Sequence, residues 1–100
     1  MSELLPALRP TPFLANNIKT NATTVVKSGG GFLHAITINT KGATANTAIV
    51  FDNTAGSGTT IATIDTTTAV GTLILDVKFS TGLTIVTATG TAPDMTVSYI

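Results

Sequence analysis

The stretch STGLTIVTATGTAPDMTVSYI, residues 80–100, decides the fold class of this chain. It carries one charged residue, Asp94, among threonines and β-branched apolar residues. Such residues are stiff at χ1 and favour the pleated strand over the helix. The segments LTIVTAT and MTVSYI flank a turn that begins at Gly90, so the pattern predicts a final β-hairpin. In its closing strand, one face is predicted to carry Met95, Val97 and Tyr99.

The same rhythm extends back along the chain to Ile18. Turn signals recur about every 8 to 12 residues, which is typical of a sandwich or a barrel. The predicted strands are TTVVK, FLHAITINT, TAIVFD, TTIATID, TLILDVKF, LTIVTAT and MTVSYI, with a further segment of strand character around Ile18. The predicted fold is therefore all-β, an antiparallel β-sandwich or jelly roll of seven to eight strands with an extended N-terminal arm.

Two of these strands predict which side chains face the core. In TLILDVKF, Asp76 and Lys78 alternate with an apolar set. In FLHAITINT, alternation predicts that His34 shares a face with its apolar neighbours. The two predicted apolar faces are Leu73, Leu75, Val77 and Phe79 in the first strand, and Phe32, Ile36 and Ile38 in the second.

Composition predicts that part of the surface is covered by other protein. Only 10% of the residues are charged, against about 25% in typical soluble domains. The runs Ile49–Phe51 and Leu73–Leu75 are apolar on both faces, which marks strands covered on both sides. These features favour a homo-oligomer. The five basic residues are scattered and balanced by five acids, so the sequence does not favour nucleic-acid binding. It has no apolar run long enough for a membrane span.

Residues 1–17 differ from the predicted domain at 18–100. Prolines at positions 6, 10 and 12 fix φ and remove backbone donors, which predicts an extended arm with no core of its own. A basic start and a long apolar stretch, the marks of a secretory signal, are missing. The arm either packs locally on the domain or docks on a neighbouring subunit or partner. Its predicted partner-binding residues are Leu4, Leu5, Leu8, Arg9, Phe13 and Leu14.

The sequence predicts no catalytic, metal-binding or cofactor-binding residue. Cysteine is absent, and the single histidine, His34, has no second imidazole with which to build a zinc site. It is interpreted as a hydrogen-bonded core or interface residue. The triple glycine in KSGGGF lacks the order of a phosphate-binding loop and predicts a loop or bulge with positive φ. Three aspartates at strand ends are predicted to cap backbone N–H groups: Asp52, Asp65 and Asp94.

From roughly Ala35 to Ile100, the chain resembles small β-rich virion structural proteins of tailed bacteriophages. The resemblance is a pattern of strands and turns near the end of the domain, together with an upstream hairpin that has an Asp-Asn turn. The matching residues are Phe79, Gly82, Leu83, Ile85, Gly90, Asp94, Met95, Thr96, Val97 and Tyr99.

The resemblance implies a compact sandwich or jelly roll, often trimeric, located in the virion after assembly in the host cytoplasm. The expected role is a capsid decoration (cement) protein on the outside of the head, with the major capsid protein or other virion proteins as partners. A head or tail fibre that recognises the host surface remains the alternative. An enzyme is the third class, and its candidate residues are His34, Asp52, Asp65, Asp76 and Asp94.

Overall fold

A computed structural model describes residues 13–100 of the chain. This part contains no helix and eight strands that pair only antiparallel, so the predicted all-β sandwich is confirmed. The strands are β1 (Leu14–Ile18), β2 (Thr23–Ser28), β3 (Gly31–Thr40), β4 (Thr47–Asp52), β5 (Thr59–Asp65), β6 (Gly71–Phe79), β7 (Gly82–Ala88) and β8 (Asp94–Tyr99). All seven predicted strands are present, and the segment around Ile18 supplies the eighth.

The strands form two sheets of four, in the orders β1-β8-β3-β6 and β2-β7-β4-β5, called here the first and the second sheet. The pairs β4–β5, β3–β6, β2–β7 and β1–β8 are nested around the β4–β5 hairpin. The chain is therefore one long antiparallel ribbon with its tip at that hairpin. Rolling the ribbon up creates the remaining pairs, β3–β8 and β4–β7.

The two strands of the ribbon stay together where it crosses from one sheet to the other. At each crossing, the segment that links two consecutive strands forms a backbone hydrogen bond with the neighbouring linking segment or strand end. Few backbone groups therefore lose their hydrogen-bond partners where the ribbon changes sheet. These bonds are Gly29 N to Thr81 O at 2.9 Å, Thr87 N to Ala22 O at 2.9 Å, and Thr66 N to Asn46 O at 3.3 Å.

The predicted final hairpin is wrong. β7 and β8 are consecutive strands, but β7 pairs with β2 and β4 whereas β8 pairs with β1 and β3. The connection between them crosses between the sheets, with φ of 73° at Thr89 and 61° at Gly90. The inward face of β8 agrees with the pattern, because Met95 and Val97 are fully buried and Tyr99 packs against the core.

The core lies between the two sheets and is made of aliphatic side chains and one phenyl ring. Burying each of the larger side chains stabilises the fold by about 1.5–3 kcal/mol. Its largest fully buried members are Phe79, Leu33, Ile36, Leu83, Ile85, Met95, Val50 and Val97.

The first strand begins within the predicted arm. Residues 14–17 belong to β1, where Leu14 pairs with Tyr99 and Asn17 with Thr96. The prediction placed the domain boundary at residue 17, whereas the sheet takes in the chain from Leu14. Residues 1–12 of the predicted arm lie outside the described residues.

A bulge in β3 changes the predicted face of His34. The pairing register shifts between Leu33 and Ala35 against both neighbouring strands. Because of this shift, Leu33 and Ile36 both enter the core although they are three residues apart. His34 is excluded from the core, so the prediction that it shares a face with Ile36 is wrong.

Candidate functional site

The His34 ring lies on the outer face of the first sheet, in contact with two side chains. Its Nδ1 is 2.7 Å from Oδ1 of Asp76, and the two side chains are 34% and 52% exposed. The Phe13 ring stacks on it with a centroid separation of 4.5 Å and an interplanar angle of 14°. Phe13 also stacks on Phe32, at 6.4 Å. Phe13 therefore reaches across β8 from the edge of the sheet to β3.

Asp76 meets His34 because the backbone of β6 is irregular at this point. The register passes from Leu33–Val77 to Ala35–Ile74, so β6 has one more residue than β3 in this interval. Asp76 takes a φ of 49°, in the left-handed region that non-glycine residues rarely adopt. The bulge places the carboxylate beside the imidazole. Asp76 thus gives His34 an orienting partner that the sequence did not identify.

A general base also needs a group to act on and a cleft around it. Within residues 13–100, no hydroxyl group hydrogen-bonds to the His34 ring. The same part of the chain contains no group of three or more His, Cys, Asp or Glu residues that could hold a metal ion. The geometry of the pair is that of a polar surface contact capped by Phe13.

A groove of about 730 Å³ opens at the end of the first sheet, beside this stack. It lies where the ribbon crosses from β2 to β3 and from β6 to β7. Its lining is mostly apolar, and Lys78 is the one charged side chain among the lining residues within 13–100. Its floor is made by the main chain, because Gly31 has no room for a Cβ next to the Ile100 carbonyl and the Phe79 ring. The lining residues are Gly30, Gly31, Phe32, Lys78, Phe79, Ser80 and Ile100.

A second apolar surface lies along the free edge of β6 and is called here the edge patch: Val70, Leu73 and Ile74. Their exposed fractions are 60%, 44% and 56%. The sequence pattern predicts Leu73 inside, but β6 is the last strand of its sheet, and no strand within residues 13–100 pairs with its outer edge. A shallow depression of about 220 Å³ beside the patch reaches the core residues Ile38 and Ile64.

Three aspartates hold turns and strand ends in place. Asp52 accepts hydrogen bonds from the backbone N–H groups of Ser80 and Thr81, at 3.0 Å and 2.8 Å. These bonds favour the carboxylate and lower the pKa of Asp52, with the Ser80 N–H as the largest cause. Asp65 accepts from the hydroxyl and N–H of Thr67, which lowers the pKa of Asp65. The predicted capping of backbone N–H groups is confirmed at these two positions.

Asp94 has different partners from those predicted. Its carboxylate accepts from the side-chain amides of Asn17, at 2.7 Å, and Asn39, at 3.3 Å, and these bonds lower its pKa. Asn17 and Asn39 lie on β1 and β3, the two neighbours of β8. Asp94 therefore links three strands of the first sheet.

The predicted partner-binding residues divide into two groups. Phe13 and Leu14 lie within the described residues, where they are 42% and 57% exposed. The other four, Leu4, Leu5, Leu8 and Arg9, lie outside them. The sequence did not predict the groove, although the triple glycine beside it was noted as a loop, and Gly29 there has a φ of 95°. The described part of the chain has no helix that is long and apolar enough to cross a membrane.

The sequence matches no protein-family model, and comparison with curated proteins and with solved structures found no significant match.

Proposed function

We propose that the chain is a virion structural protein of a tailed bacteriophage, most specifically a homotrimeric decoration protein that binds the outside of the head and stabilises it. The strand pattern of residues 79–99 resembles such proteins. We assign the chain no reaction and no cofactor. Its partner in this role is the major capsid protein, and its place is the mature virion.

The nested ribbon is the observation that carries the proposal. The eight antiparallel strands are paired β1–β8, β2–β7, β3–β6 and β4–β5 and lie in two sheets. From this nesting we infer the winding of a jelly roll. Jelly rolls build viral capsid proteins and also lectin domains. A fold supports a function only by analogy, so the assignment also draws on the sequence resemblance.

The edge patch supports the oligomeric part of the proposal. Val70, Leu73 and Ile74 expose apolar side chains along the free edge of a strand. Only the second half of β6 carries features that hinder pairing with another strand, namely the bulge at Asp76 and the charges of Asp76 and Lys78. Soluble proteins usually blunt such edges or cover them. In a neutral chain with few charges, contact with further copies is a simple way to cover the patch.

The proposed mechanism is mechanical. Trimers at local symmetry axes bridge neighbouring capsid subunits, and the summed contacts hold the shell against the pressure of the packaged DNA. Each single contact can be weak, because binding through several linked sites raises the overall affinity by orders of magnitude. Arg9 of the predicted arm, together with the exposed Phe13 and Leu14, is proposed to contact the capsid.

The test compares wild-type virions with virions from which the coding sequence has been deleted. We expect deletion virions to release DNA at a lower temperature, and added purified protein to restore the wild-type release curve. Unchanged heat release would overturn the cementing role. Copy number then separates the two virion roles, since hundreds of copies per particle indicate decoration whereas a handful would identify a fibre.

A further inference from the structure

The groove is placed to receive the chain segment that precedes Phe13. Phe13 is the first described residue, next to the edge strand β1, and its ring stacks on the His34 and Phe32 rings of β3. Phe32 also lines the groove, and Ile100, another lining residue, hydrogen-bonds to it through both backbone groups. Phe13 therefore lies at the mouth of the groove.

The composition of residues 1–12 matches the lining of the groove. This segment has three leucines, at positions 4, 5 and 8, and three prolines that suit an extended path without hydrogen-bonded neighbours. The groove offers the Phe32 ring and Ile100 to such side chains. Its charged lining residue, Lys78, is complementary to Glu3, the one acidic residue of the segment.

Chain length permits the contact. Leu8 is five positions before Phe13 and can lie at most about 18 Å from it, whereas Leu4 can lie at most about 32 Å away. The groove begins at Phe32, whose ring centroid is 6.4 Å from that of Phe13. A short tether of this kind gives an effective concentration in the millimolar range, so weak apolar contacts suffice.

We propose that the groove is the docking site of residues 1–12 of the same chain, with Leu4, Leu5 and Leu8 packed in it and Glu3 beside Lys78. This assignment selects local packing over the alternative that these leucines dock on another molecule. Arg9 and the exposed faces of Phe13 and Leu14 are left for a partner. The inference does not depend on the phage assignment, because it concerns contacts within one chain.

The absence of cysteine from the sequence makes disulfide trapping a direct test. Cysteine is introduced at Leu4, Leu5 or Leu8, one position at a time, each together with Ser80→Cys at the groove. Ser80 is exposed, and its backbone N–H donates a hydrogen bond to Asp52. Because the side chain takes no part in this bond, Ser80→Cys leaves the bond intact. The matched control combines Leu8→Cys with Ala69→Cys. Ala69 is exposed and lies at the other end of the first sheet, about 23 Å from the groove along β3.

After mild oxidation, we expect at least one Ser80 pair to close a disulfide within single chains, at least tenfold more completely than the control. Non-reducing electrophoresis and mass measurement distinguish closed single chains from linked dimers. Linked dimers would show that the groove holds the segment of a second copy and would overturn the assignment. Equal closure at Ser80 and Ala69, or no closure at any of the three positions, would also overturn it.

A second measurement does not need the disulfide to form. A chain that begins at Phe13 is titrated with a peptide of residues 1–12, and binding is followed through the amide resonances of Phe32 and Ser80. The control peptide carries serine in place of the three leucines. We expect the control to bind at least tenfold more weakly. Equal binding of the two peptides, or shifts confined to other parts of the domain, would contradict the proposal.

Discussion

The Thr66 hydroxyl donates a 2.6 Å hydrogen bond to Oδ1 of Asn46, and both side chains are fully buried. The Asn46 amide nitrogen donates to the carbonyl oxygen of Thr89 at 2.7 Å and to Oδ1 of Asn21 at 2.8 Å. Asn46 therefore joins the two ribbon crossings at this end of the sandwich. One side chain holds together connections that are far apart in sequence.

Substitution of Asn46 by alanine should be among the most costly single changes in the chain. It would remove the Asn46 Oδ1 acceptor of the fully buried Thr66 hydroxyl and the side-chain donor to the Thr89 carbonyl. We expect a loss of about 2–4 kcal/mol in the free energy of unfolding, measured by urea denaturation. Asn39→Ala is the control, since Asn39 is exposed, and it should cost less than about 1 kcal/mol. Similar losses in the two variants would show that burial does not set the cost.

Asp52 should make the fold sensitive to acid. Its pKa is lowered in the folded state by the backbone N–H groups of Ser80 and Thr81, relative to an unfolded value of about 4. The stabilisation is therefore present above about pH 4 and is lost as the pH falls through the lower folded-state pKa. Asp52→Asn should lower the melting temperature at pH 7, and its difference from wild type should shrink below about pH 4.

A control for this prediction is Thr81→Ala, which changes an exposed side chain and keeps the N–H donor. It should follow the wild-type melting curve at each pH. A wild-type minus Asp52→Asn difference that stays constant from pH 7 to below pH 4 would contradict the role of the carboxylate charge.

The connection between β3 and β4 contains a turn that its sequence fits poorly. Thr44 and Ala45 have φ of 57° and 60°, and two consecutive positive φ values are typical of a type I′ turn, which favours Asn-Gly. Ala45→Gly should raise the stability by about 0.5–1 kcal/mol, because glycine adopts this φ without a Cβ contact. Thr44→Asn should add a smaller gain.

Glycine has the opposite effect where φ is negative. Ala62→Gly, in the middle of β5, is the matched control and should lower stability by about 0.5–1 kcal/mol. Thermal unfolding of both variants gives the comparison. If glycine destabilised the chain equally at both positions, the turn conformation would not be the one described.

Two isoleucines of the first sheet should respond differently to truncation. Ile36 is fully buried and Ile74 is 56% exposed, although both lie in paired parts of β3 and β6. Ile36→Ala should cost about 2–5 kcal/mol because it leaves a cavity, whereas Ile74→Ala should change the stability of the monomer by about 0.5 kcal/mol or less.

The same pair tests the edge patch as an interface. If copies of the chain meet at the patch, light scattering should show that Ile74→Lys lowers the mass of the assembly while its circular dichroism remains that of wild type. An unchanged mass with Ile74→Lys would remove the patch from the proposed interface.

Strand positions were predictable because each strand ends at a local signal, such as the triple glycine before β3 or Pro93 before β8. Strand partners were not predictable in the same way. β7 and β8 have the sequence of a hairpin but do not pair with each other. The partners of β8 are β1 and β3, and one partner of β7 is β2, all more than 40 residues away in the chain. The second partner of β7 is β4, which is nearer. Alternation also failed at His34, because a bulge shifts the register by one residue and the sequence around it gives no signal.

The candidate site was predictable only in its parts. The capping roles of Asp52 and Asp65 follow from their positions at strand ends, but the long-range partner of Asp52 depends on the rolling of the ribbon. The groove could not be predicted, since it is formed by Phe32, Ser80 and Ile100, which meet only when three strand ends come together.

The nested pairing also sets the order in which the chain can fold during synthesis. The β4–β5 hairpin joins neighbouring segments, so it can form early, whereas β8 lies in the interior of the first sheet, between β1 and β3. Until β8 has left the ribosome, β1 has no partner and β3 has one unpaired side. Long-range pairing of this kind slows folding and leaves strand edges open to aggregation. We therefore expect a nascent chain halted before Asp94 to be protease-sensitive in the first sheet and to depend on chaperones.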